Sequence, residues 1–152
     1  MKKEKLREEI EIELDLIKQT VSEIKQILSQ IEERPPNNIE KTAAGAFLSQ
    51  IYGGIEKIMI RICKHNNVDI PSGKDWHSEL FKMFCDPPHN KLPNLIDSVL
   101  ESLLIPYRKF RHFFIHGYGV LIDIDQIMPG LMNAEKIYKK FVMNIKMYLS
   151  DL

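Results

Sequence analysis

Apolar residues form a single seam along the N-terminal stretch of the chain. Ile10, Leu14, Ile17, Val21, Ile24, Leu28 and Ile31 recur at alternating spacings of four and three, with Glu, Lys and Gln between them. A 3.6-residue turn gathers such positions onto one stripe, so the pattern predicts an amphipathic helix over residues 4–33. The run ERPPNN at 33–38 ends it, because proline offers no N–H to continue the ladder. A second helix is predicted from about Ile39 to His65, with a broad face of Ala43, Ala44, Phe47, Leu48, Ile51, Ile55, Ile58, Met59 and Ile62. Gly45, Gly53 and Gly54 weaken that helix and predict close approach of a neighbour.

A short third helix is predicted in DWHSELFKMF from about Lys74, with Asp75 or Ser72 as its cap. After the turn CDPPHNKLP at 85–93, a fourth runs from about 92 to 116 with Leu95, Val99, Leu103 and Leu104 towards the core. Pro106 inside it predicts a kink or an open hydrogen bond, and Gly117 and Gly119 suit its end. A fifth is predicted from about Pro129 to Leu149, with Leu131, Ile137, Phe141, Ile145 and Tyr148 inward. VLIDID at 120–125 is ambiguous, and no other segment reads as a strand. The expectation is an all-α, antiparallel bundle of four to five helices forming one domain over residues 1–152.

Composition narrows the function. Apolar residues are 44% and charged residues 28%, which suits a folded chain. The formal net charge is zero, so any site for a polyanion must be a local patch. Cys63 and Cys85 do not resemble a disulfide framework. The opening MKKEKLREEIEIELD lacks an apolar run of signal-peptide type, and no segment approaches a membrane span; the expected location is the cytoplasm.

The chemistry is concentrated in RKFRHFFIHGYG at 108–119. Arginine offers a planar fork for phosphate, and histidine can move a proton at a ribose hydroxyl. RNA carries its own nucleophile, the 2′-hydroxyl, so Arg and His at one phosphate suffice in principle for metal-independent cleavage to a cyclic phosphate. Arg111 and His116 lie about 140° apart on a regular helix, so they converge only if the helix ends early or a second subunit contributes. His112 and His116 share a face at a metal-binding spacing, but no third ligand follows, and neither metal nor cofactor is expected. Arg108, Lys109 and Arg111 also fit a plain solvated face, as do Lys57, Arg61 and Lys64. Glu56 is a candidate to orient Arg111 across helices. Trp76 reads as a packing anchor, His77 as a surface or capping residue with a place at the border of the cleft as the alternative, and the DxD pair Asp123 and Asp125 as a helix start or loop.

The order R-H-F-F-I-H-G-Y resembles the signature of HEPN-domain proteins, and His116-Gly117-Tyr118 resembles the His-x-Tyr extension of HepT toxins. GIEKIMIRI, GKDWHSELFKMF, YRKFRHFFIHGYG and the closing amphipathic helix extend the likeness over about residues 40–150. The resemblance implies a dimeric HEPN-like bundle, or a larger homo-oligomer, that cleaves RNA without metal. It implies Arg111 and His116 as the catalytic pair, and His112 as the polar second position. Arg108 and Lys109 are then candidate RNA phosphate contacts. It further implies an MNT-type nucleotidyltransferase antitoxin that places AMP on Tyr118, adding bulk and charge beside the site. The alternative is a non-catalytic HEPN module that binds RNA, a nucleotide or that partner.

Overall fold

The apolar seam of the N-terminal stretch becomes α1, Lys2–Ile31, in a computed structural model that describes every residue except Ile115 and His116. Leu6, Ile10, Leu14, Ile17, Val21, Ile24 and Ile27 of this helix are buried. α2, Asn38–His65, starts at a reciprocal cap: the Asn37 side chain accepts from the Glu40 N–H, and the Glu40 carboxylate accepts from the Asn37 N–H. Arg34 closes the corner by donating to both Glu40 oxygens at 2.6 and 2.8 Å. The two helices run antiparallel, since Glu9 near the start of α1 pairs at 2.5 Å with Arg61 near the end of α2. Gly54 allows their close approach, because a Cβ there would stand 2.8 Å from Ile17 Cγ1.

The chain continues through α3 (Trp76–Met83), α4 (Ser98–His116), a 3₁₀ turn (Gly119–Leu121), α5 (Ile124–Met132) and α6 (Ala134–Ser150). α6 lies antiparallel to α1: Lys25 pairs with Glu135 at 2.7 Å, and Arg7 donates to the Leu149 carbonyl at 3.0 Å. Ile51, Ile58, Phe81, Leu100, Leu104, Ile137 and Ile145 are fully buried and join the elements in one core. Each such side chain contributes about 1.5–3 kcal/mol relative to exposure. Cys63 and Cys85 are buried free thiols, and burial pushes them up to about 11 and about 12. Among the described residues, no helix is long and apolar enough to cross a membrane, and the only β pairing is an isolated bridge between Cys85 and Ile96.

The all-α bundle expected from the pattern is present, with corrections in detail. Among the described residues there are six α-helices, against the four to five expected. The helix expected over 129–149 is two helices that meet at Asn133; α5 already begins at Ile124, capped by the Asp123 side chain on the Asp125 N–H. Pro129 therefore lies inside α5 and does not start a helix. The motif helix begins at Ser98, not near 92, because the Asp97 side chain accepts from the Leu100 N–H at 2.8 Å and defines the start. Leu95 is buried ahead of the helix, where the Asn144 amide donates to its carbonyl at 2.8 Å. The buried face of α4 is consequently Leu100, Leu104, Tyr107 and Phe110, while Val99 is 47% exposed. α4 also continues through Pro106, whose missing N–H removes one bond of its ladder.

Candidate active site

Besides its buried Leu100 and Leu104, two contacts fix the motif helix against the bundle near the site. The Tyr107 hydroxyl donates to the Gly130 carbonyl of α5 at 2.6 Å. Phe110 packs over Gly45 of α2, where an added Cβ would lie 2.8 Å from the Phe110 ring and from Ile122 Cδ1. The close helix contact expected at the α2 glycines therefore occurs at Gly45 and Gly54, whereas a Cβ at Gly53 would meet nothing within 4 Å. These contacts turn Arg108 and Arg111 towards α2 and α3.

Glu56 is the centre of the arrangement. It is buried in α2, and a buried carboxylate requires partners. One oxygen, Oε2, stands 2.6 Å from His77 Nδ1, and the other, Oε1, stands 3.5 Å from Arg111 Nε. A carboxylate only accepts hydrogen bonds, so Nδ1 carries the imidazole proton in this contact. The Trp76 ring lies 3.6 Å from the His77 ring, centroid to centroid, and limits its rotation. Next along α3, Ser78 Oγ accepts from Arg108 at 3.1 Å, and the Arg108 guanidinium sits 4.7 Å above the Phe81 ring.

A polar cleft of about 140 Å³ is lined by Tyr52, Lys74, Asp75, His77, Ser78, Arg108, Arg111 and His112. Burial raises the Tyr52 phenol, helped by the Glu56 charge, while Arg108 and Arg111 act in the opposite direction. Tyr52 is thus a neutral wall of the cleft with two guanidinium groups across from it.

Of the residues singled out in the sequence, Arg108, Arg111 and His112 meet at this cleft. Lys109 is exposed and lines a neighbouring hollow of about 320 Å³ with Ser78, Ile105 and Arg108. Tyr118 lies just beyond the helix end and is 76% exposed. His116 lies outside the described residues. Asp123 caps α5, which accounts for one carboxylate of the DxD pair. Arg61 is engaged by Glu9, in keeping with a solvated structural face. The link between Glu56 and Arg111 is present as expected. His77 takes the cleft-border place of its alternative reading, not a purely surface or capping one. It sits 34 residues before Arg111 in a different helix, and only its place beside Trp76 at the start of a short amphipathic helix marked it.

The arrangement combines two cationic forks, an oriented imidazole and a neutral phenol around a space open to solvent. Guanidinium forks bind phosphate oxygens, and the imidazole can exchange a proton with a hydroxyl at the same centre. No curated protein and no solved structure matches the chain. A family model described as HepT-like protein matches residues 43–152, which covers the cleft and the motif helix and leaves α1 outside. The chain therefore belongs to the HepT-like proteins, and its all-α bundle is a module of the HEPN type.

Proposed function

We propose that the protein is a metal-independent RNA endonuclease and the toxin of a HEPN/MNT toxin–antitoxin pair. The observation that carries this reading is the cleft in which Arg111, Arg108, His77 and His112 meet on the motif helix and its neighbour. Arg111 binds the scissile phosphate and stabilises charge on its oxygens as the 2′-hydroxyl attacks. His116 transfers a proton as general acid or base. The 2′-oxygen–phosphorus bond forms, the phosphorus–5′-oxygen bond breaks, and the products are a 2′,3′-cyclic phosphate and a 5′-hydroxyl. Arg108 and Lys109 hold neighbouring phosphates. The working unit is a homodimer, in which two motif helices border one groove, and residues 1–152 act as one unit because α1 shares its core with α2 and α6.

Tyr118 is the point of control in this reading. Its phenol is 76% exposed beside the end of the motif helix, so a nucleotidyltransferase partner can reach it. AMP there adds a negative phosphate just beyond the end of the basic motif helix and repels RNA. Purified protein incubated with total RNA in EDTA tests the nuclease, with Arg111→Ala and His116→Ala alongside. Cyclic-phosphate ends from the wild type and not from the variants support it, once mass spectrometry shows Tyr118 free of AMP. The ion pair of Arg111 with buried Glu56 favours a second reading, in which Arg111 is a strut of a non-catalytic binding module. RNA binding without any product from unmodified protein would select that reading.

A further inference from the structure

Cleavage by an internal 2′-hydroxyl requires two proton transfers. One removes the hydroxyl proton, and the other supplies a proton to the departing 5′-oxygen. The motif region contributes His116 to one of these steps under the reading above, on which this inference rests. We infer that His77 is the partner catalytic residue and acts as the general base.

Three observations on the structure carry this. First, His77 and Arg111 are held on the two oxygens of one buried carboxylate, Glu56, so the imidazole and the guanidinium stand side by side. A phosphate gripped by Arg111 therefore presents its adjacent ribose to His77. Second, Glu56 Oε2 stands 2.6 Å from His77 Nδ1, and an ionised carboxylate can only accept, so in a neutral His77 the proton is assigned to Nδ1 and the lone pair to Nε2, at the other side of the ring. A carboxylate that fixes the tautomer and orientation of a histidine is the arrangement that makes Nε2 a base. Third, the ring is held in place by Trp76 at 3.6 Å and lines the same cleft as Arg108 and Arg111.

The step balances without a co-reactant. Nε2 takes the 2′-hydroxyl proton, the freed electron pair forms the bond to phosphorus, and the 5′-oxygen leaves with a proton from the second histidine. The resulting imidazolium is neutralised where it forms, by the Glu56 carboxylate on its Nδ1–H. Glu56 acts through His77 and Arg111 and is a positioning residue.

His77→Asn separates this role from a structural one, because its amide N–H can replace Nδ1–H towards Glu56 but cannot take a proton. The measurement is single-turnover cleavage of total RNA under saturating protein, with RNA affinity and thermal unfolding recorded for the same samples. The expected result is a rate at least about 100-fold below wild type, with affinity and melting temperature unchanged. His77→Ala should lose the same activity and regain part of it in added imidazole. Cleavage by His77→Asn within about 3-fold of wild type, far short of the roughly 100-fold loss of a general base, overturns the assignment. So does a loss that follows the melting temperature and ignores imidazole. If Arg111→Ala is inactive while His77→Asn is active, this inference fails and the nuclease reading stands; a wild type that never cleaves removes both.

Discussion

Replacing Glu56 by Gln tests whether one carboxylate holds the cleft together. The change keeps the side-chain shape and removes the second acceptor. The amide oxygen can still accept from either His77 or Arg111, but the amide N–H₂ then faces the other donor. His77 Nδ1 lies 2.6 Å from Oε2, and Glu56 is 7% exposed at its side chain, so the lost hydrogen bond to a charged group costs about 1.5–3 kcal/mol. Arg111 contributes less, because it stands 3.5 Å away and its side chain is 23% exposed; solvent limits that pair to about 1 kcal/mol or below. Only one of the two donors loses its acceptor, so the cost lies between these values, about 1–3 kcal/mol, which lowers the melting temperature by about 2–12 °C in a chain of this size. Urea and thermal unfolding by circular dichroism on wild type, Glu56→Gln, His77→Ala and the double variant give the number and the coupling. The cycle should show a coupling between Glu56 and His77 of about 1 kcal/mol or more. A Glu56→Gln protein within about 0.5 kcal/mol of wild type, the range of an ordinary surface substitution, would refute the claim that this carboxylate organises the site.

Glycine positions offer a paired test: Gly45→Ala should destabilise by about 1–3 kcal/mol, because its Cβ meets Phe110, Phe114 and Ile122 at 2.8–3.0 Å. Gly53→Ala, with open space around it, should stabilise by about 0.5–1 kcal/mol in the same denaturation series. The Glu40 carboxyl is lowered from the ordinary 4.5 to about 2 by the Arg34 hydrogen bonds and the Asn37 N–H. Its folded value lies below its unfolded one, so its stabilisation is complete above the unfolded value and disappears as pH falls through the folded value. The stability gap between wild type and Glu40→Gln should therefore be constant above about pH 5 and close between about pH 4.5 and 2 in a pH series of melts. Cys63 and Cys85, buried and raised to about 11 and about 12, should resist alkylation by iodoacetamide in the folded protein at pH 8 and react once urea unfolds it; rapid labelling of native protein would contradict that burial.

What the sequence by itself determined was whatever repeats within one helix. The seam of α1 was legible because seven residues at four-and-three spacing can share only one stripe, and Ile10, Leu14, Ile17, Val21 and Ile24 are buried as the period requires. The all-α class and the cluster around Arg111 were legible for the same local reason. Tertiary packing decided the rest. Several apolar phases were available in LIDSVLESLLIPY, and the Asp97 cap with the Asn144 bond selected the one that buries Leu100 and Leu104 and leaves Val99 outside. The closing pattern held enough apolar residues to read as one helix, but Asn133 divides it into α5 and α6. The cleft is the clearest case. Glu56, His77 and Arg111 come from three helices, and no period relates them. A buried carboxylate must find donors, but which ones it finds is set by how α2, α3 and α4 pack. That geometry made His77 part of the site, and residue spacing along the chain has no means of expressing it.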